Sequence, residues 1–198
     1  MSPDDLFRLI FLVILVGFLP FALFHRIRSN LSGENLDRWQ EGTFILFGLR
    51  LSGLPWFIGG IIWMIDPALM AWSSVPIPMW LRWCGFVLVG VWGILFVWTF
   101  QTLGKNLTDT VVTRKEHTLV TTGPYRYVRH PFYLSFLIAV IGGSIVTANW
   151  YLFLTSLLPF AFLVARTRIE EDKLVERFGD EYREYMSRTG RFWPRLNG

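Results

Sequence analysis

Long runs of apolar residues, separated by short polar stretches, dominate the chain. The first run extends from Leu6 to Phe24, the second from Thr43 to Ile65 and the third from Met79 to Leu103. A helix needs about 20 apolar residues to cross the hydrocarbon core of a bilayer, and each run has about that length. Because a backbone in lipid must satisfy its own hydrogen bonds, we expect each run to be a helix.

Two shorter apolar runs follow, from Tyr133 to Thr147 and from Trp150 to Ala165. Only Ala148 and Asn149 separate them, so we expect the two runs to form a helical hairpin that barely crosses the bilayer. The sequence therefore predicts an all-α integral membrane protein with about five transmembrane helices.

The chain is expected to have two regions, an N-terminal three-span membrane region at 1–103 and a C-terminal region at 104–198. The C-terminal region begins with a cytosolic loop, continues through the helical hairpin at 133–165 and ends in an amphipathic tail at 166–198. Weak alternation from Thr108 to Thr122 predicts either a short β-hairpin or an extended loop.

The tail is expected to be helical and one-sided. Its apolar side chains recur at the spacing of one helical face, at Leu174, Val175, Phe178, Tyr182 and Tyr185. We expect Gly179 and Asp180 to divide this helix into two pieces, with Asp180 capping the second piece.

The distribution of basic residues predicts the orientation of the spans. The loop from Asp66 to Pro78 contains no Lys or Arg, whereas the loops before and after it in sequence are basic. Eight further basic residues follow Ala165. Because basic loops stay on the cytoplasmic side, we expect a multi-pass protein with its N-terminus outside and its C-terminus in the cytoplasm. That arrangement requires an odd number of spans, which favours five.

Composition agrees with a membrane protein and excludes other classes. The chain is 53% hydrophobic and 17% charged, with 18 Phe and 10 Trp, whereas a soluble domain is about a quarter charged. The net charge of +4 is too small to indicate nucleic-acid binding. The single Cys84 and the three histidines show no metal-ligand spacing, so we expect no metal site.

Polar and charged residues gather on both sides of the predicted hairpin, at 117–133 and at 166–194, and the hairpin brings these stretches to the same face of the membrane. Arg166 and Glu170 stand four residues apart on one helical face, where the fifth span leaves the lipid. They form either an ordinary surface ion pair with a snorkelling Arg or two walls of a cavity that holds a charged ligand.

His130 and Pro131 begin the fourth run. Because Pro is common in the first turn of a helix, this dipeptide alone indicates only a helix start. Five tyrosines occur in the same two polar stretches, namely Tyr125, Tyr127, Tyr133, Tyr182 and Tyr185. Each alone is compatible with an interfacial anchor, but their clustering with His130 and Glu170 favours a binding site.

Four motifs occur in the order and spacing of the isoprenylcysteine carboxyl methyltransferase family. They are Thr118-Leu-Val-Thr-Thr-Gly-Pro-Tyr125, Arg129-His-Pro-Phe-Tyr133, Glu170-Glu171 and Phe178-Gly-Asp-Glu-Tyr182. The end of the chain, from Tyr185 to Pro194, resembles the prokaryotic members of that family. The resemblance covers roughly Gly104 to Pro194, and the first hundred residues carry no matching motif.

The resemblance implies a membrane methyltransferase that binds S-adenosylmethionine in a cytosol-facing pocket formed by the C-terminal helices. It implies that the following residues contact the cofactor: His117, Thr118, Leu119, Val120, Tyr125, His130, Pro131, Phe132, Tyr133, Glu170, Tyr182 and Tyr185. It also implies catalytic roles for Arg166, on the substrate side, and for Glu170. The methyl acceptor is expected to be a lipid-like or prenylated small molecule or protein whose tail enters from the bilayer between spans.

The residue types suit methyl transfer to a carboxylate. A carboxylate is ionised at neutral pH, so its methylation needs no general base, and the protein has mainly to position the reactants and exclude water. An Arg orients a carboxylate by a bidentate contact. A Glu accepts the cofactor's ammonium or ribose hydroxyls, and aromatic rings face the sulfonium.

Three other functions stay open. The first is N-methylation of a phospholipid or amine, which needs a base, and Glu170 or Glu171 is then the candidate. The second is an NADPH-dependent membrane reductase of the sterol-reductase type, and the third is a non-enzymatic membrane scaffold. Membrane lipids are the expected surroundings and nucleic acid is not an expected partner. The sequence indicates neither the identity of the methyl acceptor nor the oligomeric state.

Overall fold

The computed structural model describes residues 3–30, 43–104 and 118–195. Within these ranges the protein consists of six α-helices and two 3-10 turns, without a β-strand. The helices are α1 (Pro3–Asn30), α2 (Thr43–Ile65), α3 (Met79–Leu103), α4 (Pro131–Thr147), α5 (Trp150–Phe178) and α6 (Asp180–Arg188), and the 3-10 turns cover Pro67–Ser73 and Gly123–Arg126.

The apolar helices are long enough for a membrane protein. In the part of the chain that the structure describes, three segments have the length and composition of a membrane span, Phe47–Ile65, α3 and α5. Helix α4 is apolar but has 17 residues, which corresponds to about 25 Å. The predicted all-α membrane fold is confirmed, while the count of five spans and the side of the C-terminus stay predictions.

The tail differs from the predicted arrangement. Helix α5 does not end at Ala165 but continues to Phe178, so the first half of the expected tail extends the fifth apolar run. The predicted cap at Asp180 is wrong. Gly179 occupies the cap position with a φ of 55°, and its N–H donates to the Val175 carbonyl, so α6 begins directly after a glycine in the left-handed region.

Two pairs of helices make up most of the bundle, since α3 packs along α4 and α2 packs along α5. Helices α3 and α4 approach most closely at two glycines. A Cβ added to Gly142 would lie 3.0 Å from the Gly85 carbonyl oxygen, and one added to Gly85 would lie 2.9 Å from that of Gly142. Small residues of this kind let helices pack closely within a membrane.

The loop between α2 and α3 closes one end of the bundle, which we call the loop end. Asn149, in the turn between α4 and α5, donates to the Met70 carbonyl over 3.3 Å and to Ser73 Oγ over 2.8 Å. Its own Oδ1 accepts the Leu152 N–H and so caps α5. The hairpin predicted from Ala148 and Asn149 is therefore present. Hydrogen bonds from Asn149, in the connection of this hairpin, hold the 3-10 turn Pro67–Ser73 in place.

The main hydrophobic clusters also lie toward the loop end. Phe7, Val89 and Val146 form one cluster and Trp63, Met70 and Leu152 form another, and Phe11 packs against both. Helix α4 begins and helix α5 ends at the opposite end of the bundle, which we call the site end. The loop end is thus held by apolar packing, and the polar clusters predicted from sequence meet at the site end.

The close contact between α3 and α4 predicts a difference between two neighbouring glycines. Gly142→Leu is expected to reduce the free energy of unfolding by about 1–3 kcal/mol, because the new side chain overpacks the contact with Gly85. Gly143→Leu is the matched control, since a Cβ at Gly143 meets no atom within 4 Å. Thermal unfolding of both variants in detergent measures the difference, and equal losses would contradict this account of the contact.

Candidate functional site

The chain enters the site end through a tight turn against the end of α3. Gly123 has a φ of 58°, and a Cβ at this position would lie 2.5 Å from Thr102 Oγ1, so both conformation and space favour glycine. Pro124 is buried in the 3-10 turn that follows, and its carbonyl accepts the Val128 N–H. This turn directs the next residues toward the start of α4.

The C-terminal tail pairs with the segment that precedes α4. The Arg129 N–H donates to the Gly190 carbonyl over 2.9 Å, and the His130 N–H donates to the Arg191 carbonyl over 3.1 Å. Val128 and Gly190 form an isolated parallel bridge at the same place. The tail therefore becomes a wall of the site although it lies about 60 residues away in sequence.

Glu171 is the centre of a buried charged cluster at this junction, and its side chain is only 3% exposed. Its Oε1 accepts from Arg129 Nε over 2.9 Å and from Arg129 Nη2 over 2.8 Å, and it lies 3.1 Å from His130 Nε2. Its Oε2 accepts from Arg191 Nη2. One carboxylate thus joins α5, the start of α4 and the tail through charge-assisted hydrogen bonds.

Arg129 extends this cluster to the end of α6. Its Nη1 donates to the Met186 carbonyl over 3.2 Å and to the Thr189 carbonyl. The planar guanidinium of Arg129 therefore donates hydrogen bonds to acceptors on several of its edges. A buried ion pair of this kind is stable only when its remaining donors are satisfied in this way.

Glu170, the preceding residue of α5, has a different environment. Its side chain is 32% exposed, and its Oε2 accepts a hydrogen bond from the Tyr133 hydroxyl over 2.9 Å. The same oxygen lies 3.9 Å from His130 Nδ1. The imidazole of His130 therefore stands between a buried carboxylate and an accessible one, and only Glu170 is accessible to a ligand.

Aromatic rings surround His130. Its ring centroid lies 5.4 Å from that of Tyr133 and 5.9 Å from that of Phe192, which the tail contributes. The next residue, Pro131, occupies the first position of α4, as predicted. Phe132 packs instead against Phe96 and Phe100 of α3, so it fixes the start of α4 within the bundle.

Three tyrosines form a second group beside the charged cluster. Tyr182 and Tyr185 are buried with ring centroids 5.8 Å apart, and the Tyr185 hydroxyl donates to the Tyr125 carbonyl over 2.5 Å. Burial raises the pKa of all three hydroxyls above the ordinary value for tyrosine, and the negative charge of Glu170 adds to this rise at Tyr125. The hydroxyls therefore stay neutral near pH 7 and remain hydrogen-bond donors.

The structure brings together most of the residues predicted for the site. His130, Tyr133 and Glu170 are in direct contact, and Arg166 lies one turn before Glu170 on α5, partly buried. Their roles toward a ligand stay predictions.

The structure describes the whole of the first motif, from Thr118 to Tyr125, but not the predicted contact that precedes it. The segment Thr118–Val120 has irregular backbone with Thr118 exposed, and His117 lies outside the described residues. Most of the predicted β-hairpin or extended loop from Thr108 to Thr122 is also outside them.

Sequence reasoning did not assign three residues of the charged cluster to the site. Arg129 and Arg191 had no role, and Glu171 was only an alternative base. Two features of the sequence could have indicated this cluster, the Arg beside His130 and the doubled glutamate at 170–171. Two adjacent residues of a helix point in directions about 100° apart, so the two glutamates have to meet different surroundings. Their partners come from segments distant in sequence, which the order of motifs does not reveal.

Comparison with known proteins agrees with the predicted family resemblance. Residues 83–176 match the model of the isoprenylcysteine carboxyl methyltransferase family. Methanethiol S-methyltransferase 1 of Bradyrhizobium diazoefficiens is 27% identical, over 91% of this chain and 67% of its own length. Protein-S-isoprenylcysteine O-methyltransferase of Homo sapiens is 32% identical, over 64% of this chain and 46% of its own length.

A solved structure supports the fold in the same way. The eukaryotic intramembrane Ras methyltransferase, an isoprenylcysteine carboxyl methyltransferase, superposes with a TM-score of 0.54 and 25% identity over 79% of this chain. The chain spans 54% of that protein. The resemblance predicted from the motifs is confirmed, and the match begins earlier than they indicated, within α3.

The charged cluster predicts a large difference between two glutamates of α5. Glu171→Ala is expected to lower the free energy of unfolding by about 3–5 kcal/mol, because it leaves the buried guanidinium of Arg129 and the half-buried one of Arg191 without their carboxylate. Glu176→Ala is the control, since Glu176 forms only an exposed pair with Lys173, worth about 1 kcal/mol or less. Denaturation in detergent measures both, and similar small losses would contradict a structural role for Glu171.

Proposed function

We propose that this protein is an S-adenosylmethionine-dependent methyltransferase that acts on a lipophilic acceptor at the membrane, with O-methylation of a carboxylate as the reaction. The observation that carries the proposal is the position of Glu170. Its accessible carboxylate is held by Tyr133 beside His130, and it lies within the segment that matches the methyltransferase family.

The residues at the site end fit the chemical groups of S-adenosylmethionine, which supplies an activated methyl group when bound. An accessible carboxylate suits the ammonium of the methionine part or the ribose hydroxyls, and Glu170 offers one. Aromatic faces and edges suit a sulfonium and an adenine ring, and Tyr133 and Phe192 flank His130. The other predicted cofactor contacts at this end are Thr118, Leu119, Val120, Tyr125, Pro131, Tyr182 and Tyr185. His117 lies outside the described residues, and Phe132 packs against α3.

Arg166 is the residue that we propose for orienting the acceptor. It lies one helical turn from Glu170 toward the middle of α5, so it stands between the cofactor residues and the apolar part of the bundle. A guanidinium in this place holds a carboxylate by two parallel hydrogen bonds. The protein then contributes position and exclusion of water, because an ionised carboxylate needs no base.

The proposed acceptor is a lipid-like or prenylated molecule whose tail lies between the helices. The apolar surfaces of α2, α3 and α5 are widely exposed, and a bilayer is the solvent that such surfaces require. We further propose that the C-terminus is cytoplasmic, so that the cofactor enters the site from the cytoplasm. In this proposal the region at 104–198 contains the catalytic residues, and the three-span region at 1–103 supports it within the membrane.

Methylation of a small thiol is the second candidate function. The methanethiol S-methyltransferase matches 91% of this chain, whereas the human O-methyltransferase matches 64%. A thiol differs from a carboxylate because only its thiolate is a good nucleophile, and a thiol is mostly protonated at neutral pH, since even the cysteine thiol has a pKa of about 8.5. Thiol methylation would therefore depend on pH near neutrality, or would need a base such as Glu170.

The two assigned roles predict separable effects of mutation. Glu170→Ala is expected to weaken binding of S-adenosylhomocysteine by at least about tenfold, because a charged hydrogen-bond partner is lost, whereas Arg166→Ala is expected to retain binding and lose turnover. Glu176→Ala and Arg168→Ala, exposed positions on the same helix, are the controls. Calorimetry in detergent and a methyl-transfer assay measure the two properties.

Two results would contradict this assignment. Equal loss of cofactor affinity in the Glu170 and Arg166 variants would show that their roles are not divided as proposed. Binding of NADPH without binding of S-adenosylmethionine or S-adenosylhomocysteine would favour a reductase and reject the methyltransferase.

The pH dependence of turnover separates the two acceptor classes. With a labelled methyl donor and a prenylcysteine analogue, the rate is expected to change little between pH 6 and 8, because the acceptor carboxylate is ionised throughout. With methanethiol as acceptor, a rate that rises about tenfold for each pH unit would indicate an unassisted thiolate. Turnover of methanethiol but not of the prenylcysteine analogue would establish the second candidate in place of the first.

A further inference from the structure

A cavity of about 610 Å³ opens at the loop end of the bundle, on the side opposite to Glu170 and His130. Its walls come from the start of α1, the end of α2, the first 3-10 turn, the start of α3 and the turn between α4 and α5. Its volume is in the range of binding sites for small ligands or lipid head groups. None of the residues proposed for methyl transfer lines it.

Hydrogen bonds between separate elements hold the walls of this loop-end cavity in place. The Val75 N–H donates to the Ala148 carbonyl over 2.7 Å, next to the bonds from Asn149 to the first 3-10 turn. On the other side, Arg8 Nη1 donates to the Ile65 carbonyl over 2.7 Å and so links α1 to the end of α2. The cavity is therefore formed before any ligand enters, which reduces the entropic cost of binding.

Charged groups of both signs line the cavity. Arg82 is only 7% exposed, its Nε donates to the Val146 carbonyl over 2.9 Å, and its guanidinium stands 4.0 Å over the Phe7 ring. Asp66 and Asp5 line other parts of the wall, and Asp5 forms an ion pair with Arg8 over 3.5 Å. Asp66 accepts the Ala68 N–H through Oδ1, so its orientation is fixed by the 3-10 turn. A lining with a cation and carboxylates is complementary to a ligand that itself carries both charges.

The rim of the cavity has the composition of a membrane–water interface. Exposed tryptophans surround this end of the bundle, at Trp72, Trp80, Trp83 and Trp150. Tryptophan is enriched at the level of the lipid head groups. Ile65 and Leu69 are also exposed beside the mouth, and they offer apolar surface to acyl chains. A cavity with this rim suits the depth at which a phospholipid presents its phosphate and amine.

We propose that the loop-end cavity binds the head group of a zwitterionic phospholipid with a primary ammonium, such as phosphatidylethanolamine. The phosphate is placed toward Arg82, the ammonium toward Asp66, and the acyl chains along the exposed apolar rim. The contact is non-covalent and independent of the methyl-transfer site.

The experiment compares lipid binding to the full chain and to variants by native mass spectrometry from detergent. Phosphatidylethanolamine and phosphatidylglycerol are added at equal concentration, together with phosphoethanolamine as a soluble head group without acyl chains. Asp66→Asn is the informative variant, because the amide oxygen still accepts the Ala68 N–H while the charge is removed. Asp180→Asn, at an exposed position on α6, is the matched control.

The expected result is a preference of the unmodified chain and the Asp180 variant for phosphatidylethanolamine. Asp66→Asn is expected to weaken this binding by about tenfold and to leave phosphatidylglycerol binding unchanged, because only the ammonium contact is lost. Arg82→Gln is expected to weaken both lipids, and S-adenosylhomocysteine binding checks that the Arg82 variant is folded.

Three outcomes would overturn the proposal. Equal binding of both lipids to every variant would show non-specific annular lipid. A preference for phosphatidylglycerol that depends on Arg82 and not on Asp66 would assign the cavity to an anionic lipid. Binding of phosphoethanolamine as tight as that of the intact lipid would show that the ligand is a soluble head group rather than a membrane lipid.

Discussion

The site end depends on one interaction, the buried carboxylate of Glu171 with the guanidinium groups of Arg129 and Arg191. A buried carboxylate is unfavourable by itself and becomes stable only when its oxygens are fully hydrogen-bonded. Here the donors come from two separate segments, the start of α4 and the tail, so the requirement to satisfy one charge brings both of them to α5. The backbone bonds of Arg129 and His130 to the tail follow from the same arrangement. Glu171 thus adds a charged link to the backbone hydrogen bonds and the His130–Phe192 contact that hold the tail against the start of α4.

This interaction also explains how two adjacent glutamates acquire different roles. Glu171 is buried and its oxygens are occupied, whereas Glu170 is accessible and accepts a hydrogen bond from Tyr133. His130 lies between the two carboxylates, and its Nε2 is bound on the buried side. The structural glutamate thereby holds the residues that surround the accessible one. The contacts of Glu171 thus fix the positions of side chains at the ends of helices, where the chain would otherwise be least constrained.

Different interactions hold the helices together at the two ends of the bundle. At the loop end, apolar clusters around Phe7 and Trp63 and the bonds of Asn149 hold the helices together. At the site end, ion pairs and buried tyrosines do so. This division suits a protein in lipid, because contacts between apolar helices gain little from the hydrophobic effect there, and close packing and polar contacts have to supply specificity. It also leaves the site end polar enough for the charged cofactor that we propose.

Sequence alone determined the helical class, the apolar runs and the hairpin of α4 and α5, because span length and helical hydrogen bonding are local requirements of a chain in lipid. The ends of α2 and α3 agree with the apolar runs to the residue. The motifs also led to His130, Tyr133 and Glu170. Only the tertiary structure decided that α5 continues beyond the apolar run and that Glu171 takes its partners from Arg129 and Arg191. These features depend on pairing between charges far apart in sequence, and such pairing leaves no periodic signal in the chain.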